Sequence, residues 1–199
     1  MEIKVVKQIM EWNENCHKEL QDELKEKKVF MINIMGSPGA GKTTFILGLI
    51  DELKKSGIKV GVIEGEIDAE KMAERGIPVV QLNTDGACHI EAMSIKNILP
   101  QFDLDHLDII IIENIGNLVC PAEFDIGESL KVALLSIPEG DDKVEKYPLM
   151  FTRADALVLT KYDLINYFEF NEERVEKNAL IRNDELKLFK VNSKNEDDI

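Results

Sequence analysis

The clearest chemical signature in the chain lies in residues 36–43, which read GSPGAGKT and match the phosphate-loop pattern G-x-x-x-x-G-K-[ST] in full. Glycines let such a loop turn its backbone N–H groups inward, and the following helix N-terminus adds partial positive charge. We expect Lys42 to reach the β- and γ-phosphates and the Thr43 hydroxyl to bind Mg²⁺. The alternative is a chance glycine turn. The predicted nucleotide-binding residues here are Gly36, Ser37, Pro38, Gly39, Ala40, Gly41, Lys42, Thr43 and Thr44.

Magnesium on a bound nucleotide usually needs a carboxylate at the end of a neighbouring strand. Glu113 ends an apolar run, and Gly116 follows three residues later, a form typical of a γ-phosphate sensor. We therefore predict that Glu113 and Gly116 act with Lys42 and Thr43 in catalysis. A second acidic group ends an earlier predicted strand and consists of Glu64, Glu66 and Asp68. Of these we predict Glu66 as a nucleotide and magnesium contact. For each acid the alternative is a solvated loop carboxylate.

Residues 160–163 read TKYD and end another predicted strand. The form [NT]-K-x-D is the guanine-reading motif of many GTPases. The Asp163 carboxylate can accept hydrogen bonds from guanine N1–H and the exocyclic amine, whereas adenine would leave it unpaired. The Lys161 stem can lie along the base, and Thr160 completes the motif. Ser193 and Lys194 could finish the pocket. The alternative is a charged loop at a strand end.

Thiol and imidazole groups offer a third kind of chemistry, because both suit Zn²⁺ or Ni²⁺. Cys88 and His89 are adjacent, and Cys120 lies in the loop after Glu113. Adjacent side chains can chelate one ion easily only at a helix end or in a loop, and three ligands leave a tetrahedral site incomplete. A second copy of the chain could supply the remainder. From the residues alone, a core cysteine beside a surface histidine is the competing interpretation. We assign Cys16 to packing and expect solvated side chains at His17 and His106.

The elements that must position these residues alternate between short apolar runs and amphipathic stretches. Strands are predicted at 29–35, 58–63, 78–82, 107–113, 131–137, 155–160 and 186–191. Helices are predicted at 2–28, 43–57, 68–75, after Cys88, and at 172–181. This alternation predicts an α/β P-loop NTPase fold, with a mostly parallel central sheet flanked by helices on both faces. Residues 114–130 and 138–150 are predicted loops. The predicted organisation is an N-terminal amphipathic helix (1–28), a P-loop GTPase domain (29–192) and a disordered acidic tail (193–199).

Composition narrows the function classes. The chain has 199 residues, with 24 Lys plus Arg and 38 Asp plus Glu, for a formal charge of −14. That charge argues against nucleic-acid partners and against anionic membranes. No apolar run approaches the ~18 residues of a membrane span. Three cysteines cannot all pair within one chain, so a reduced, cytoplasmic protein is the simplest interpretation.

Five segments, in order along nearly the whole chain, resemble the hydrogenase nickel-incorporation GTPases, the HypB family. They read SPGAGKTT, NTDGACHIEA, ENIGNLVCPAEFDIGE, EGDDKVEKYPLMF and TKYD. The chain departs from the family pattern at several points, two of which concern the nucleotide site. Thr160 stands where the family usually has Asn, and Glu66 stands where it has Asp, in a shorter stretch. The resemblance implies a GTPase that dimerises with GTP and carries a metal at the dimer interface, with ligands at Cys88, His89 and Cys120.

The resemblance also implies partners, namely a nickel-delivery accessory protein and the large subunit of [NiFe]-hydrogenase. We therefore predict a GTP-hydrolysing metallochaperone that uses GTP, Mg²⁺ and Ni²⁺ or Zn²⁺, with slow hydrolysis to GDP. The short path from Glu113 to Cys120 would couple the nucleotide to the metal. Three alternatives stay open: a urease-type nickel GTPase, a non-hydrolysing nucleotide- or metal-binding adaptor, and a small-molecule kinase that uses the same loop.

Overall fold

A single seven-stranded sheet forms the centre of the molecule in the computed structural model, which describes residues 2–65, 69–83 and 86–192. The strand order is β3-β2-β4-β1-β5-β6-β7, and every neighbouring pair runs parallel. The strands are β1 (Phe30–Gly36), β2 (Val60–Glu64), β3 (Val79–Gln81), β4 (Ile109–Glu113), β5 (Leu130–Ser136), β6 (Ala156–Thr160) and β7 (Lys187–Lys190). All seven predicted strands are thus confirmed, with ends that differ from the prediction by at most two residues.

Helices cover both faces of this sheet, as the alternating pattern predicted. Those within the described ranges are α1 (Glu2–Lys27), α2 (Lys42–Lys55), α3 (Ala69–Ala73), α4 (Ala92–Ile98), α5 (Cys120–Glu123), α6 (Lys143–Lys146), α7 (Pro148–Arg153) and α8 (Glu172–Arg182). None of them is long and apolar enough to cross a membrane. The division of the chain at residue 28 stays a prediction.

The prediction of loops at 114–130 and 138–150 was wrong in part. These stretches contain α5, α6 and the start of α7. Helices of four to six residues complete at most two turns, so no 3.6-residue apolar period can emerge from them. The available signals were Pro121 and Pro148, because proline is favoured in the first turn of a helix.

Successive side chains of each strand point to opposite faces of the sheet, so a separate hydrophobic core forms on each face. On one face Met31 packs with Cys16, Leu20 and Leu24 of α1 and with α4. On the other face Ile32 packs with the apolar side of α2. The four-residue spacing of the α1 side chains places them on one helix face, so the packing role predicted for Cys16 is confirmed.

His17 is a correction to the sequence analysis. We predicted that the His17 side chain is solvated. Instead it is half-buried, and its Nδ1 accepts a hydrogen bond from the Gly127 backbone N–H at 2.8 Å. The helix periodicity places it beside the buried stripe without indicating the loop that it meets. His106 is exposed as predicted and lies 2.9 Å from Asp103.

Candidate nucleotide and metal sites

The phosphate loop connects the buried strand β1 to α2 at the carboxyl edge of the sheet. Gly39 and Gly41 have φ angles of 77° and 92°, a region that side chains strain to adopt. Lys42 is only 3% exposed and its Nζ lies 3.4 Å from the Ser37 carbonyl oxygen, so its charge is held inside the loop. The structure therefore joins the predicted loop residues in one concave backbone at a helix N-terminus, an arrangement that favours anions.

The TKYD loop docks onto the phosphate loop from the next-but-one strand. The Thr160 hydroxyl donates to the Ala40 carbonyl at 2.6 Å, and Lys161 Nζ donates to the Gly39 carbonyl at 2.7 Å. Lys161 has a φ of 53°, which turns the chain sharply after β6. Thr160 thus ties the two motifs together with its hydroxyl. Asp163 is exposed at the edge of this arrangement, where a base could reach it.

Two acidic residues meet where β2 and β4 end. Glu64 and Glu113 are register partners on these adjacent strands, and both are fully buried. The Thr43 hydroxyl donates to Glu113 Oε1 at 2.9 Å. Burial, and then the negative charge of Glu64, raise the pKa of Glu113 to about 8. Two carboxylates and a hydroxyl form an oxygen donor set of the kind that Mg²⁺ prefers.

The second acidic group is only partly described. Glu66 and Asp68 lie outside the described residues, as do Ser193, Lys194 and the rest of the predicted tail. Glu64, which the sequence placed in that group but not among the predicted ligands, is the member found beside Glu113. The signal that could have selected it is its position at the last residue of a buried strand.

Gly116 lies directly against the phosphate loop. A Cβ atom added to Gly116 would come within 2.9 Å of Pro38 backbone and ring atoms, so no larger residue fits without displacement. Its neighbour Asn117 pairs with Gly36, donating a backbone hydrogen bond to the Gly36 carbonyl at 3.0 Å. The structure therefore brings Glu113 and Gly116 together with the phosphate loop.

Glu139 also lies at the carboxyl edge of the sheet where the phosphate loop is found, which we call the nucleotide edge. The sequence did not indicate this residue. Its side chain accepts a hydrogen bond from the Ser136 hydroxyl at 2.6 Å and another from the Ser37 hydroxyl of the phosphate loop. Ser136 and Glu139 form a capping box on the short helical turn after β5. The serine-x-x-glutamate spacing was the available signal.

The three predicted soft-metal ligands converge. Cys88 Sγ lies 3.0 Å from Cys120 Sγ and 3.5 Å from His89 Nδ1, and one ligand atom from each residue falls within 4.8 Å of the others. Cys88 and His89 lie in the loop before α4, which meets the condition for adjacent side chains to share an ion. Cys120 begins α5. The competing interpretation of a core cysteine fails for Cys88, which is exposed.

The surroundings of this cluster favour a neutral His89 imidazole, which is the form that binds a metal ion. Burial lowers the pKa of His89, so the neutral ring predominates at neutral pH. The ring stacks on Phe124 with centroids 4.3 Å apart and an interplanar angle of 12°, which fixes its orientation. A hydrogen bond with Cys88 raises the pKa of Cys120. A bound cation would reverse that effect by favouring the thiolate.

The chain is similar to known proteins over most of its length. Residues 30–190 match the family model described as "CobW/HypB/UreG, nucleotide-binding domain". The hydrogenase/urease maturation factor HypB of Helicobacter hepaticus is 39% identical over 206 residues, covering 99% of this chain and 84% of that protein.

Two solved structures have the same architecture. HypB from Helicobacter pylori in complex with nickel superposes with a TM-score of 0.87 at 35% identity, covering 94% of this chain and 89% of that one. HypB from Archaeoglobus fulgidus also superposes with a TM-score of 0.87, at 33% identity, covering 93% of this chain and 92% of that one. By the family match and by these relatives, the chain belongs to the CobW/HypB/UreG family of nucleotide-binding proteins.

Proposed function

We propose that this protein is a GTP-hydrolysing metallochaperone that binds nickel and releases it for insertion into [NiFe]-hydrogenase. One observation carries the proposal. The segment that follows Glu113 touches the phosphate loop at Gly116 and, four residues later, supplies the thiol of Cys120 to the cysteine–histidine cluster. A change at the terminal phosphate therefore has a direct route to the metal ligands.

The residues at the nucleotide edge would have separate roles in binding the nucleotide. The phosphate-loop amides and Lys42 would bind and orient the phosphates, and Asp163 would select guanine. The oxygens of Thr43, Glu113 and Glu64 fit Mg²⁺, which would neutralise phosphate charge when bound. Phosphoryl transfer needs positioning and charge neutralisation rather than a covalent nucleophile, and this set would contribute both to slow hydrolysis to GDP.

For the metal, the cluster supplies two thiols and one imidazole, a donor set that suits nickel and zinc. Three ligands leave the coordination sphere incomplete, and the exposure of Cys88 leaves room for groups from outside the chain. We propose that a second copy completes the site in a GTP-dependent homodimer. Nickel is then the cargo, and opening of the dimer after hydrolysis would release it.

The names of the relatives support a choice of client. The similar proteins from Helicobacter hepaticus and Helicobacter pylori are called hydrogenase/urease maturation factors, and the one from Escherichia coli is called a hydrogenase maturation factor. We therefore propose the large subunit of [NiFe]-hydrogenase as the recipient, a nickel-delivery accessory protein as the donor, and the cytoplasm as the place of action. The double name favours urease as the second candidate client.

A titration tests this function. Nickel affinity is measured by competition with a chromophoric chelator, with protein loaded either with GDP and Mg²⁺ or with a non-hydrolysable GTP analogue and Mg²⁺. We expect a difference of at least fivefold between the two states, and phosphate release from GTP in a separate assay. Equal nickel affinity in both states would reject the coupled metallochaperone. Tight GTP binding without phosphate release would instead favour a non-hydrolysing adaptor.

A further inference from the structure

The loop residues 114–117 connect the two candidate sites. On the nucleotide side they begin after Glu113 and include Gly116, where an added Cβ would come within 2.9 Å of Pro38. On the metal side they approach residues 88–90, the loop that carries two of the three ligands. Two asparagine side chains make that approach, one from each end of the segment: Asn114 and Asn117.

Asn117 makes hydrogen bonds to residues of both sites. Its backbone N–H donates to the carbonyl of Gly36, the first residue of the phosphate loop, at 3.0 Å. Its side-chain Nδ2 donates to the Cys88 carbonyl at 3.3 Å. Its Oδ1 accepts from the Val119 N–H at 2.8 Å, which closes the turn that places Cys120 at the start of α5. A side chain with both a donor and an acceptor is needed for this pair of contacts.

Asn114 makes a parallel but deeper contact. Its Oδ1 accepts from the Ile90 N–H at 3.4 Å and from the Ile115 N–H at 2.9 Å, while its Nδ2 donates to buried Asn33 at 3.1 Å. Asn33 in turn donates to buried Glu128. Because this chain of hydrogen bonds lies inside the core, its disruption would unfold the region. Asn117 is half-buried, at the end of the segment nearer the surface.

We propose that Asn117 is the positioning residue that transmits the nucleotide state to the metal ligands, by holding the Cys88 backbone and the Cys120 turn to the edge of the phosphate loop. The inference rests on the proposed function and names the residue that makes the coupling possible. A movement of Gly116 toward or away from a γ-phosphate changes the position of Asn117, its direct neighbour. The amide then draws Cys88 and Cys120 along together, which alters the spacing of the two sulfurs.

The sharpest test is Asn117→Asp. A carboxylate still accepts from the Val119 N–H, so the turn before Cys120 is retained, but it cannot donate to the Cys88 carbonyl. The matched control is Asn171→Asp at the N-cap of α8, where the side chain only accepts, from the Arg174 N–H at 3.0 Å, and where Asp caps as well as Asn. Both changes add the same charge.

The readout is the ratio of nickel dissociation constants in the GDP and GTP-analogue states. We expect the ratio in Asn117→Asp to fall to within about twofold of one, while Asn171→Asp keeps the wild-type ratio. A purely local effect of Asn117 on the thiols would change nickel affinity in both states by the same factor and leave the ratio intact. A wild-type ratio in Asn117→Asp therefore overturns the inference.

Two further measurements keep the outcomes distinct. If Asn117→Asp does not fold, as judged by thermal unfolding, Asn117→Ser takes its place, because serine also closes such a turn but is too short to reach Cys88. The same two results decide for or against the inference. If the wild-type protein itself shows a ratio of one, the proposed function fails as well, whereas a large wild-type ratio that survives both substitutions removes only the role of Asn117.

Discussion

Replacement of Glu113 with glutamine should remove the part of the pH dependence of stability that this carboxyl contributes. The pKa of this carboxyl is raised to about 8 from 4.5 by burial and by neighbouring Glu64. A folded-state pKa above the unfolded value means that the native protein holds the proton more tightly. The resulting stabilisation is complete below about pH 4.5 and is lost as the pH rises through 8.

The size of the effect follows from the same two values. Each unit of pKa corresponds to about 1.36 kcal/mol, so the full difference corresponds to roughly 5 kcal/mol. Part of this belongs to the pair of carboxylates rather than to Glu113 alone. Between pH 5.5 and 8.5 we expect the free energy of unfolding of the wild type to fall by about 3 kcal/mol relative to that of Glu113→Gln.

The assay is urea unfolding of nucleotide-free protein in chelator, at half-unit steps of pH across that window. Glutamine has the shape of the protonated acid, so the variant should exceed the wild type in stability by only about 1 kcal/mol at pH 5.5 and by much more at pH 8.5. Glu176→Gln, on the exposed side of α8, is the matched control and should show no such divergence. A constant difference between wild type and Glu113→Gln across the window would refute the reasoning. So would a variant that is less stable at high pH.

Three other substitutions address the base, the metal and the core. Asp163→Asn should weaken guanine nucleotide binding at least tenfold and favour xanthine nucleotides, since the amide can donate to a C2 carbonyl; unchanged GDP affinity in fluorescence titration would contradict the assignment. Cys120→Ser should weaken nickel binding at least tenfold in chelator competition, whereas Cys16→Ser, which changes a buried thiol that is not a member of the cluster, should not. Leu20→Ala removes a fully buried side chain and should cost about 2–5 kcal/mol in urea unfolding; a loss below 1 kcal/mol would show that α1 is not part of the core.

Local patterns predicted the sheet well because most of its strands are short apolar runs bounded by helix or turn residues. They failed where an element is too short to have a period, as in α5, or where a contact comes from a distant loop, as at His17. The role of Glu139 was missed for the second reason, since its capping box is local but its contact with Ser37 spans two strands. Hydrogen-bond partners of this kind depend on strand order, which periodicity does not encode.

By itself the sequence determined the phosphate loop, because eight contiguous residues and their backbone conformations build that site locally. The meeting of Cys88 with Cys120, of Glu64 with Glu113, and of Lys161 with the phosphate loop was decided only by the tertiary structure. The physical reason is the insertion of β4 between β2 and β1, and of β5 between β1 and β6, which brings the ends of strands far apart in the chain to one edge. Side chains at that edge become neighbours through the packing of parallel strands. Their separation along the chain does not predict these contacts.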